Sequence, residues 1–135
     1  MTGKWALSDD SGLSVYSLSG RPGVYSSRYA NTDEERINRL LLELESVEDR
    51  RAFFSAALCL AAPDNNVLIE VEGRCEGLIT KEPRGRNGFG YDPIFEVNTT
   101  GLTFAEMDKY QKLKIGHRGS AFSLLEPQLR NILNP

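Results

Sequence analysis

The chain has 135 residues, a formal net charge of −3, 40% hydrophobic and 26% charged residues, one histidine and two cysteines. That length predicts one domain with its own core, and the charge gives no global basic field for duplex nucleic acid. Cys59 and Cys75 lack CxxC spacing, Met1 to Trp5 has no apolar leader and no run is long enough to span a bilayer; reduced thiols and a cytoplasmic, non-membrane protein are expected.

Trp5 to Leu7 reads as a short buried strand that runs into Asp9-Asp10-Ser11-Gly12. Leu13 to Leu18 alternates apolar and small residues, as a half-buried strand does. Gly20-Arg21-Pro22-Gly23 predicts a turn, followed by an irregular segment from Val24 to Tyr29. Thr32-Asp33-Glu34-Glu35 predicts a capping box and opens a helix ending near Ser46, with Ile37, Leu40, Leu41 and Leu44 on one face. Arg51 to Ala62 and Val67 to Ile79 flank the turn Pro63-Asp64-Asn65-Asn66, which predicts a β-hairpin. A short strand is expected around Pro93 to Val97 and a short helix over Thr103 to Lys112. A longer helix over Arg118 to Leu133 should bury Ala121, Leu124, Leu125, Leu129 and Ile132. Strands first and helices last give an α/β or mixed α+β fold.

Four stretches carry candidate chemistry. Asp9 and Asp10 offer adjacent hard oxygen donors suited to Mg²⁺, although Asp, Ser and Gly are also ordinary turn residues. Pro83 to Pro93 contains Gly85, Gly88 and Gly90 with Arg84 and Arg86, a pattern able to turn backbone amides toward an anion and equally that of a flexible hairpin connection. Phe89 and Tyr91 in the same loop suit a flat ligand. His117-Arg118 opens a helix; a lone His there is ordinarily a capping or core residue and the pair a solvated basic helix start, but a cation is unfavourable at that end, which makes an anionic or carbonyl partner more plausible. Tyr25 to Tyr29 reads as a packed loop that could also line a pocket, and Asp33-Glu34-Glu35 as a helix start only.

Together these strings resemble the Ham1, or inosine triphosphate pyrophosphatase, family. The matching segments are Asp9 to Leu13, Gly20 to Tyr29, Pro83-Arg84-Gly85 with Gly88 to Phe95, Ala105-Glu106-Met107, and Lys112 with His117-Arg118. The resemblance implies an ITPase-like mixed β-sheet with flanking helices, as one domain over residues 1–135. It implies Mg²⁺-dependent hydrolysis of inosine- and xanthosine-type nucleoside triphosphates (ITP, dITP, XTP) to monophosphate and pyrophosphate, by a homodimer or higher oligomer. Asp10 matches the catalytic, metal-binding acid, with Asp9 as a supporting metal ligand. Ser11, Phe89, Gly90, Tyr91, Asp92, Lys112, His117 and Arg118 match substrate contacts. A donor-only Arg118 would donate to a purine 6-oxo group and leave an adenine amino group facing a donor.

Two departures stand out. The family's opening strand, its Thr/Ser-x-Asn-x-x-Lys loop, the helix after it and a metal-binding Glu would all precede Trp5, so an N-terminally truncated member is expected. Gly116 stands where the family has Ser before its His-Arg pair. The alternative expectation is a catalytically impaired member that only binds purine nucleotides or dimerises.

Overall fold

A computed structural model describes residues 5–64 and 66–133. In chain order the elements are β1 (Ala6–Val15), β2 (Pro22–Gly23), α1 (Asp33–Glu43), β3 (Arg51–Ala61), β4 (Val67–Ile79), β5 (Phe95–Val97), α2 (Lys109–Ile115) and α3 (His117–Leu133). Short 3-10 turns lie at Tyr16–Leu18, Ser26–Arg28, Asp92–Ile94 and Phe104–Glu106. This is a mixed α/β fold. Its sheet has the order β2-β1-β3-β4-β5, and each of its pairings is antiparallel.

Period-two alternation makes the sheet one-sided. Leu13 and Val15 of β1, alternate residues of β3 from Ala52 to Leu60, and Ile69, Cys75 and Ile79 of β4 are buried on one face. Ser8, Asp10, Glu70, Glu72, Arg74 and Glu76 occupy intervening positions and are exposed.

Two helical layers cover the apolar face. At one end α1 brings Ile37, Leu40 and Leu44 into a cluster with Leu13, Phe54, Phe95 and Phe104. Each such side chain contributes about 1.5–3 kcal/mol of burial before ordering costs. At the other end α3 sets Ala121 and Leu125 on Ala56, Leu58 and Ile69. Gly73 makes that approach possible, because a Cβ there would lie 2.3 Å from the Ala121 nitrogen.

The hairpin matches expectation, as β3 and β4. Elsewhere the boundaries shift, each for a local reason. Asp9 to Gly12 is a strand rather than a loop, since the backbone pairs with β3 without a break from Ala6↔Ala61 to Val15↔Ala52. The strand then stops at Val15, whose carbonyl accepts from the Gly20 amide to close a tight turn. Thr32 caps the Glu35 amide at 3.1 Å, but α1 ends at Glu43, where Arg50 takes over the Leu44 carbonyl at 2.7 Å. The helix expected over Thr103 to Lys112 is two elements, because Asp108 starts α2 with its own capping box to Gln111. Leu124 of α3 is exposed rather than packed.

Candidate active site

A cavity of about 470 Å³ opens between the β1–β3 end of the sheet, the start of α1, the loop ending at Asp92, and the α2–α3 junction. It brings together Ser11, Phe89, Gly90, Tyr91, Asp92, Lys112, His117 and Arg118, although more than 100 residues separate the first from the last. Its size is that of a small-molecule site.

His117 begins α3 and lies against the Phe54 ring, centroids 4.8 Å apart and nearly parallel. Only 6% of it is exposed, and its Nδ1 has no hydrogen-bond partner among the described residues. Burial, reinforced by the charges of Arg118 and Lys112, pushes its pKa down to about 4. The imidazole is therefore neutral at pH 7, with its Nδ1 enclosed and unpartnered among the described residues.

Phe89 and Tyr91 divide their work. Tyr91 is buried, its hydroxyl donates to the Ser26 carbonyl at 2.7 Å, and burial raises its pKa to about 12. Phe89 is 59% exposed, with Lys112 Nζ 4.7 Å and Arg118 Cζ 5.6 Å from its ring centre. An aromatic face flanked by two cations can stack a flat anionic ligand. Beneath it Asp92 is buried, and its Oδ2 accepts from the Phe89 amide at 3.1 Å and from Lys112 Nζ at 2.5 Å. Gly88 is needed here, because a Cβ would lie 2.0 Å from that oxygen.

The two adjacent acids do not converge. Asp9 is on the cavity side of β1, where Arg118 Nε lies 3.5 Å from Asp9 Oδ2 and 3.3 Å from Ser11 Oγ. Asp10 follows it in an extended strand and so turns to the open face of the sheet. It is exposed, does not line the cavity, and has no ion pair or hydrogen bond through its side chain among the described residues. The cavity wall therefore takes its carboxylates from Asp33 and Asp92, and Asp9 touches it through Arg118. Among the described residues Asp10 lies on a stretch of β1 unpaired along one edge, since β2 pairs with β1 only at Leu13 and Ser14.

Part of the basic cradle expected at Arg84 and Arg86 is taken up elsewhere. Arg84 turns away to Glu96 at 2.8 Å and Glu106 at 3.2 Å. The Arg86 and Asn87 amides both donate to the Ala105 carbonyl, so neither is free for an anion.

Some cavity residues were not legible as such. Asp33 and Arg36 line it, although the acidic run read only as a helix start. Ser26 and Ser27 line it too, while Tyr25 and Tyr29 of the same segment border a separate cleft. Ser26 Oγ also accepts from the Leu13 amide at 2.9 Å, which fixes the turn against β1.

The profile of the Ham1 family matches residues 1–128. The chain belongs to the Ham1 family. A relative named dITP/XTP pyrophosphatase from Prochlorococcus marinus (strain MIT 9313) is 65% identical over 133 residues, covering 98% of this chain and 66% of the relative. One of the same name from Parasynechococcus marenigrum (strain WH8102) is 64% identical over 134 residues, covering 99% and 69%. The solved Ham1 protein of Staphylococcus aureus superposes with a TM-score of 0.91 at 42% identity, covering 96% of this chain and 68% of that one. The chain thus spans about two thirds of the length of these Ham1 relatives.

Proposed function

We propose that the protein hydrolyses ITP, dITP and XTP to the nucleoside monophosphate and pyrophosphate, with Mg²⁺. One arrangement supports this reading above others. Lys112 and Arg118 flank the exposed Phe89 ring and the neutral His117 lines the same cavity, which is large enough for a small molecule such as a nucleotide. The name dITP/XTP pyrophosphatase carried by relatives at 64–65% identity supports it further.

In this reading the purine stacks on Phe89 and its 6-oxo group accepts from Arg118. Ser11 borders the sugar end of the cavity. Asp9 keeps Arg118 aimed through their 3.5 Å pair. Asp10 fits a divalent cation by donor chemistry, being a hard carboxylate with no competing partner among the described residues. Among those residues no cluster of three or more acidic, His or Cys side chains could cage an ion. Mg²⁺ needs no cage, since one or two carboxylates plus the substrate phosphates and water suffice. When bound, the ion would neutralise phosphate charge and acidify a bound water. Asp10 would be the residue of this chain that holds the ion and takes a proton from the attacking water.

We read residues 1–135 as one domain that works in the cytoplasm as a homodimer or higher oligomer, without nucleic-acid or membrane partners. No helix among the described residues is long and apolar enough to cross a membrane. Release of pyrophosphate from ITP with Mg²⁺, wild type against Asp10→Ala, tests the proposal. Turnover no greater than the variant's would leave nucleotide binding alone.

A further inference from the structure

Asp33 is the first residue of α1, yet its carboxylate does more than face the helix start. Oδ2 accepts from the Gly90 amide at 2.9 Å, across 57 residues of sequence. Oδ1 pairs with Arg36 Nη1 at 2.7 Å. Arg36 in turn grips the Ser27 carbonyl twice, from Nε at 3.1 Å and Nη2 at 2.7 Å. One carboxylate therefore ties α1, the Ser26–Arg28 turn and the Phe89 loop into a single frame.

The consequence falls on Phe89. The amides of Phe89 and Gly90 are consecutive, and each is held by a different carboxylate, Asp92 for the first and Asp33 for the second. Gly90 has φ +61°, a conformation open to rotation on both sides, and a Cβ there would meet nothing within 4 Å. Packing does not lock this residue, so hydrogen bonds must. With the ring of Phe89 largely in solvent, its direction is set by the backbone on either side. Charge-assisted bonds from a carboxylate to a backbone amide are among the stronger ones available.

We propose that Asp33 is a positioning residue, which holds the Phe89 ring over the cavity through Gly90 and so sets affinity for the flat part of the ligand. This rests on the proposed reading of the cavity as a purine site for its binding consequence, but not for its structural one. A residue serving only the α1 macrodipole would be equivalent to Glu34, one position on, which is exposed and outside the cavity.

Two readouts test it, on full-length protein. The first is ligand-free: exchange of the Gly90 amide with solvent, followed by NMR. Asp33→Ala should speed it about tenfold, Asp33→Asn much less because an amide oxygen still accepts, and Glu34→Ala not at all. An unchanged Gly90 rate in Asp33→Ala overturns the proposal whatever the protein's function. The second is IMP affinity by calorimetry. Asp33→Ala should weaken it about tenfold, Asp33→Asn less than about threefold, and Asp33→Ala made on top of Phe89→Ala should add nothing. Equal losses in both backgrounds would also overturn the proposal. A wild type that fails to bind IMP, with Gly90 behaving as stated, would sink the purine reading and leave Asp33's role intact.

Discussion

Lys112 Nζ lies 2.5 Å from Asp92 Oδ2, and that same oxygen also takes the Phe89 amide. The Asp92 side chain is 5% exposed, so the ion pair is what makes a buried carboxylate tolerable beneath the aromatic lip.

Removing only the lysine should therefore be costly. Lys112→Met leaves a buried charge without its cation and is expected to lower stability by about 3 kcal/mol. The double variant with Asp92→Asn should lose less than the sum of the two singles. Urea denaturation with an unchanged slope checks both. A loss under about 1 kcal/mol for Lys112→Met would mean that solvent reaches Asp92.

The adjacent acids should separate by phenotype. Asp10 is exposed and unpartnered, so Asp10→Asn is expected to leave the melting temperature unchanged and lower kcat for ITP by about 100-fold or more. Asp9→Asn loosens Arg118 instead, and should raise KM while kcat falls only a few-fold. Chelation of divalent ions should abolish wild-type turnover and leave both melting temperatures in place. Reversed phenotypes would assign the metal to the cavity side of β1.

His117 ties stability to acid. Its pKa falls from an ordinary 6.5 to about 4 because the folded protein buries the neutral ring. The unfolded chain binds the extra proton first, so stability is full above about pH 6.5 and is lost as pH falls toward 4. The whole effect is at most about 3 kcal/mol. His117→Gln should flatten the dependence across that window, read from denaturation midpoints at pH 7 and pH 4.5. A wild-type profile already flat there would place His117 in contact with water.

Much of this was readable in the letters, and the misses share a cause. The β3–β4 hairpin and the apolar face of α1 follow from local periodicity, and that periodicity survived folding. The parting of Asp9 and Asp10 did not show, because Asp, Ser and Gly signal a turn locally and only pairing with Leu58 and Ala57 of β3 makes them a strand. Arg84 looked like a phosphate ligand because Glu96 and Glu106, which take its charge, are 12 and 22 residues away. Asp33 was hidden by its neighbours Glu34 and Glu35, which fit a helix start equally well. In each case the deciding partner is distant in sequence.

Arg118 bears the claim of base selectivity. It has donors and no acceptor, and Asp9 and Ser11 hold it from one side only. If the proposed purine site is right, a purine carrying oxygen at position 6 would accept from Arg118, whereas adenine would bring an amino group against a donor and leave both unsatisfied. Once the bound base excludes water from Arg118, such a mismatch would discriminate, while apolar contacts with the ring treat the two bases alike. Arg118→Met should therefore lower kcat/KM for ITP but hardly change it for ATP, so that the ratio between them falls by at least about 100-fold. The Asp9 carboxylate it leaves behind is 39% exposed, so folding should suffer by no more than about 1 kcal/mol. Competition between the two nucleotides in one reaction measures the ratio directly. If Arg118→Met slowed both substrates equally, the guanidinium would be serving the phosphates, and discrimination would have to come from His117 and the backbone around Gly116.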